Sequence, residues 1–231
     1  MQPILTHITA TGIDGATDPR DLLLLQRKYP LAEFGFLLSG NPQESPRFPG
    51  ASILHRFEGL GLRLSLHLCG HLAREAARGD FSGAIHACAG HFHLFQRVQL
   101  NITGYGDKPA VEDLHVDVPD DIGEVIIQQK DADNARPFKR AAAVTDRLAV
   151  LLDASGGRGR GGAVRPIGEA YHTGFAGGLG PDNVAATVAL LKGMPGVGRF
   201  WVDAESRLRG VNDLLDPDLV NRYLAAATKA A

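Results

Sequence analysis

The sequence predicts one α/β domain, a (β/α)8 TIM barrel spanning residues 1–231. Three observations predict it. Short apolar runs alternate along the chain with helix-like segments, the pattern of a parallel sheet wrapped by helices. Runs in the last third end in glycine, aspartate, serine and asparagine, which suit binding better than packing. A chain of 231 residues, 44% hydrophobic, is long enough for one such barrel and its core.

The strands are expected near residues 4–9, 33–38, 62–68, 97–102, 124–129, 148–153, 171–175 and 200–204. Helices are expected near 19–28, 70–78, 136–145, 183–191 and 213–227. Asp18-Pro19 and Pro181-Asp182 read as helix starts, because a capping side chain or a first-turn proline satisfies or removes unpaired N–H groups. The helices after strands two and four are poorly marked. No low-complexity linker divides the chain.

Strand alternation predicts what fills the barrel. Leu62, Leu64, Leu66 and Leu68 alternate with Arg63, Ser65, His67 and Cys69. Val98, Leu100 and Ile102 alternate with Arg97, Gln99 and Asn101. The leucine face is expected to meet the helices and the polar face the lumen. That places Cys69, Asn101, Asp153 and Asp203 towards the upper mouth. A buried carboxylate at a strand end is costly unless used or paired, so Asp153 and Asp203 are candidate site residues.

Composition excludes several classes. A net charge of −2 argues against a nucleic-acid or membrane-surface role. No apolar run approaches the roughly 20 residues that span a bilayer. Met1-Gln2-Pro3-Ile4-Leu5 has no charged segment followed by an apolar one, so no signal peptide is expected. Cys69 and Cys88 make no disulfide framework, and a reducing cytoplasm is the expected compartment.

Several strand ends together carry a family pattern. Ser45-Pro46-Arg47 follows Phe34-Gly35-Phe36, and Val98-Gln99-Leu100 fits a fourth strand. Leu151-Leu152-Asp153-Ala154 runs into Ser155-Gly156-Gly157, and Ala176-Gly177-Gly178-Leu179 precedes Pro181 and Asn183-Val184. Val202-Asp203 is followed by Ser206. In order and spacing these resemble phosphoribosylanthranilate isomerase, a barrel enzyme of tryptophan biosynthesis. The resemblance implies an isomerase performing an Amadori rearrangement, the aldose-to-ketose conversion of a phosphoribosyl amine. It implies no cofactor and no metal, a phosphorylated small molecule as partner, and a monomer or homodimer.

The resemblance also implies roles for residues. Asp153 takes the family's general acid position, where a carboxylic acid protonates the furanose ring oxygen. Arg47 matches the arginine that holds the anthranilate carboxylate. Gly157, Gly177, Gly178 and Ser206 match the phosphate cradle; Asp203 and Asn101, placed at the mouth by strand alternation, are expected as further substrate contacts. Two departures stand out. The family's general base is a cysteine in a Lys-Ile-Cys-Gly-Ile-Thr context at the end of strand one. The stretch aligned with it here is Ile4-Leu5-Thr6-His7-Ile8-Thr9, with Thr6 at the cysteine. A threonine hydroxyl is too weak an acid for that step, so Cys69 or His7 is expected to supply the base. Arg207 replaces a glycine beside the phosphate, where it crowds the anion or binds it.

Two further patterns compete for attention. His67, Cys69, His71, His86, Cys88, His91 and His93 offer zinc-type ligands, but in no common structural spacing. Gly157-Arg158-Gly159-Arg160-Gly161-Gly162 contains a GxGxxG string, yet Arg165-Pro166 follows instead of a helix. A glycine-rich lid is the expectation there. Two alternatives to the isomerase remain open: a diverged barrel that binds a phosphorylated ligand without isomerising it, and a metal-binding or interaction barrel built on residues 67–93.

Overall fold

A computed structural model describes residues 2–40, 45–102, 114–130, 132, 136–143, 145–153 and 165–231. Eight parallel strands close into a barrel in sequence order, each hydrogen-bonded to the next and the last to the first. They are β1 (Ile4–Thr11), β2 (Ala32–Ser39), β3 (Leu64–Cys69), β4 (Phe95–Leu100), β5 (Glu124–Gln129), β6 (Leu148–Asp153), β7 (Thr173–Ala176) and β8 (Arg199–Ala204). The predicted fold class is the one observed.

The helices are α1 (Pro19–Lys28), α2 (Gly70–Ala76), α3 (Ser82–Ala87), α4 (Arg136–Ala142), α5 (Val184–Lys192) and α6 (Pro217–Ala230). The Asp18 side chain caps α1 by accepting from the Arg20 N–H. Asp216 caps α6 by accepting from Asp218 and Leu219. In α6, Val220, Tyr223, Leu224 and Ala227 are buried at the spacing of one helix face, which lies against the barrel. After β2 a 3-10 helix, Ala51–Phe57, stands where the sequence marked no clear helix. Residues 103–113, after β4, lie outside the described residues. Among the described residues no helix is long and apolar enough to cross a membrane.

Alternation divides the barrel as expected. Leu64, Leu66, Leu68, Val98 and Leu100 join the main core between strands and helices. A second, smaller apolar group inside the barrel is Ile126, Ala149, Leu151 and Trp201. Below it the lumen is charged. Buried Arg97 donates to Glu33 (3.0 Å) and to Glu124 (2.9 Å), and its guanidinium lies 4.3 Å from the Trp201 ring centre. Thr9 also donates to Glu33, and Glu124 pairs with His172 at 2.7 Å. These groups partner one another, which is the condition for keeping charge in a core.

Candidate active site

A cavity opens at the carboxyl ends of the strands, where βα loops of a barrel carry chemistry. Each lining side chain follows from strand parity: Thr11 from β1, His67 from β3, Gln99 from β4, Gln128 from β5, Asp153 from β6 and Asp203 from β8. Asn101 continues β4 by one ladder bond, its N–H donating to the Leu68 carbonyl, and reaches the same cavity. Gly177, Gly178, Ser206 and Arg207 complete the rim. Seven residues singled out from sequence thus meet in one place: Asp153, Asp203, Asn101, Gly177, Gly178, Ser206 and Arg207.

The two aspartates differ in setting. Gln128 Nε2 donates to Asp153 Oδ2 at 3.1 Å. Thr11 Oγ1 donates to Asp203 Oδ1 at 2.8 Å. Burial pushes the Asp203 carboxyl up from 3.8 to about 8, only partly offset by the Thr11 hydrogen bond, with the charges of Glu205, Glu33 and Asp153 adding to the rise. Thr11 can approach because position 35 on β2 is glycine. A Cβ at Gly35 would lie 2.4 Å from the Thr11 hydroxyl.

The rim is built from the β7 and β8 loops. Gly177 and Gly178 have φ of 101° and 67°, backbone that side-chain-bearing residues rarely adopt. Asn183 braces the turn, accepting from the Gly180 N–H and donating to the Gly178 carbonyl, both at 2.9 Å. Arg207 also donates to the Gly178 carbonyl, at 3.2 Å, so its charge lies over the rim. Gly157, with the rest of residues 154–164, lies outside the described residues.

Three expectations need correcting. Strand one does not end at residue 9; it runs to Thr11. The mouth position is therefore Thr11, and Thr11-Gly12-Ile13, rather than Thr6-His7-Ile8, is the stretch similar to the Cys-Gly-Ile string of the isomerases the sequence resembles. Thr6 and His7 lie in the lower half of the strand instead. There His7 Nδ1 is 3.1 Å from the Thr6 hydroxyl, which bonds His172 Nε2 at 2.8 Å. Burial lowers His7 to about 4, so it stays neutral. It is not among the residues that line the cavity.

Cys69 does face inward, but it does not line the cavity. Asn101 donates to its sulfur at 3.2 Å, and burial pushes the thiol up to about 11, which suppresses the thiolate. Arg47 is not an open carboxylate grip. Its Nε and Nη2 donate to Asp213 at 2.8 and 2.7 Å, and Nη1 to Glu205 at 2.9 Å. The fork thus ties the loop after β2 to the loop after β8.

The histidine- and cysteine-rich stretch is dispersed. His67 points into the lumen, bonded to Ser65 at 3.0 Å and held neutral by burial, which lowers it to about 4. Cys88 is buried, while His91 and His93 share the surface residue Glu58. Among the described residues no group of three or more His, Cys, Asp or Glu side chains is placed to hold a metal. Sequence reasoning missed Thr11, Gln128 and Glu205. A period of two carried as far as Thr11 would have found the first.

Fold and site together define an α/β barrel with a carboxylate pair beside a glycine-rich rim. Solved structures of several barrel enzymes resemble this fold. The isomerase from Thermotoga maritima, a phosphoribosyl anthranilate isomerase, superposes with a TM-score of 0.59 and 16% identity, over 97% of this chain and 100% of that one. A phosphoribosyl anthranilate isomerase bound to reduced 1-(o-carboxyphenylamino)-1-deoxyribulose 5-phosphate gives 0.53 and 15%, over 97% and 100%. Thiamine phosphate pyrophosphorylase from Pyrococcus furiosus gives 0.51 and 12%, over 98% and 96%. At such identities the likeness establishes the fold. No family model and no curated protein matches the sequence.

Proposed function

We propose that this barrel isomerises a phosphorylated sugar derivative, with a phosphoribosyl amine such as phosphoribosylanthranilate as the model substrate. Asp153 is the general acid that protonates the ring oxygen. The turn at Gly177 and Gly178, with Ser206, binds the phosphate through backbone and hydroxyl donors, and Arg207 adds positive charge. Asn101 and Asp203 contact the sugar. The observation that carries this reading is the convergence of Asp153 and Asp203 with the Gly177-Gly178 rim in one cavity. No cofactor is called for, because the reaction moves protons and no electrons to an external carrier. The expected setting is a cytoplasmic enzyme of tryptophan biosynthesis.

The second reading, a relative that binds a phosphorylated ligand without isomerising it, draws on two observations. Threonine stands at the strand-one cysteine position, and Arg47 is engaged by the protein's own carboxylates. One experiment separates the readings. Phosphoribosylanthranilate consumption is followed by fluorescence, and binding of the reduced product analogue by calorimetry. Turnover with binding supports the isomerase, binding alone supports the second reading, and neither removes both.

A further inference from the structure

Resting on the isomerase reading, we propose that Asp203, held by Thr11, is the base that moves the sugar proton, replacing a strand-one thiol. The geometry is specific. Asp203 is the penultimate residue of β8, Thr11 ends β1, and the two strands are adjacent, with Thr9 paired to Asp203. The Thr11 hydroxyl holds Oδ1, and no other hydrogen bond to the Asp203 side chain occurs among the described residues. Both residues line the cavity that Asp153 also lines, so two carboxyl groups serve one volume. The sequence thus keeps a proton-transfer group beside the cysteine position and converts that position into its support.

The surroundings give Asp203 the proton affinity the task needs. A carboxylate of ordinary pKa is a weak base towards carbon. Burial disfavours its charge most, the charges of Glu205 from its own loop and Glu33 from β2 add to this, and Asp153 from β6 does so once it has given up its proton. Tyr223 from α6 feels the Asp203 charge from behind. Against these stands the Thr11 hydrogen bond. The result, about 8, lies close to the range of a free thiol, near 8.5. A base whose pKa is near the working pH combines a usable ionised fraction with strong proton affinity.

The steps balance with these two groups alone. Asp153 gives its proton to the ring oxygen as the C1–O bond breaks, and the nitrogen lone pair forms a C1=N iminium. Asp203 removes the proton from C2. The C2–H pair becomes the C1=C2 bond, and the C=N pair returns to nitrogen. Asp203 then delivers its proton to C1 while the enol hydroxyl loses its proton to Asp153. The ketose leaves, and both groups return to their starting states.

The test is kinetic. Wild-type protein should show a pH-dependent kcat with one limb near 8, the limb that reports Asp203. Asp203→Asn should lose at least about 100-fold in kcat while still binding the reduced product analogue measurably by calorimetry. Thr11→Val, which removes the hydrogen bond favouring the ionised form, should move the midpoint upward. Thr11→Cys placed in the Asp203→Asn background should recover turnover. Retained turnover in Asp203→Asn overturns the assignment. If Asp203→Asn does not fold, an unmoved midpoint in Thr11→Val overturns it independently. A wild-type protein that neither turns over substrate nor binds the analogue removes the isomerase reading, and this assignment falls with it.

Discussion

Asp203→Asn has a consequence for stability opposite in sign to its consequence for catalysis. The fold disfavours the charge on Asp203, raising its pKa from 3.8 to about 8. The resulting destabilisation is absent below the unfolded value, grows as pH rises, and levels off once pH passes the folded value. At pH 7 the gap of roughly 3 units above the unfolded value corresponds to about 4 kcal/mol, at about 1.36 kcal/mol per unit. At pH 5 the gap of roughly 1 unit corresponds to about 1.4 kcal/mol. Asparagine keeps an oxygen that accepts from Thr11 and carries no charge. The variant should therefore be more stable than wild type, and its advantage should widen by about 3 kcal/mol from pH 5 to pH 7. Urea unfolding followed by far-UV circular dichroism at both pH values measures this. Other carboxylates are common to both proteins and cancel. Parallel stability-versus-pH curves for the two proteins would refute the reasoning.

Three other substitutions probe separate parts of the molecule. Asp153→Asn should cut kcat by about 100-fold or more and leave analogue binding intact, as read by steady-state kinetics and calorimetry. Arg97→Met leaves Glu33 and Glu124 buried without their shared cation, and should cost about 3–5 kcal/mol in urea unfolding at neutral pH. Gly178→Ala forces a side chain onto backbone with φ of 67° and should cost about 1 kcal/mol in stability. It should also weaken inorganic phosphate binding by about tenfold, which calorimetry reads directly.

The parts of the molecule governed by local periodicity were legible in the sequence. Strand runs and the alternation of Leu64, Leu66 and Leu68 with Ser65, His67 and Cys69 are set by a backbone period of two. Asp153 and Asp203 were legible for a related reason: a carboxylate closing an apolar run must find a partner, water or a task. The end of β1 was not, because Ala10 and Gly12 carry little strand signal around Thr11. That shortening displaced the apparent mouth to Thr6 and His7. The fate of Arg47 was hidden for a different reason. Its partners Glu205 and Asp213 lie about 160 residues away along the chain, and only closure of the barrel brings the β2 and β8 loops together. Cys69 shares the lumen face with His67, but Asn101 covers its sulfur, a contact between strands that no single run reveals.

The central claim is that the mouth of the barrel is a phosphate-anchored sugar site served by Asp153. A crystal structure with reduced 1-(o-carboxyphenylamino)-1-deoxyribulose 5-phosphate tests it most directly. The phosphate should sit on the Gly177-Gly178 turn and Ser206, with the sugar chain between Asp153 and Asp203. A phosphate bound elsewhere, or an empty cavity at saturating analogue, would contradict it.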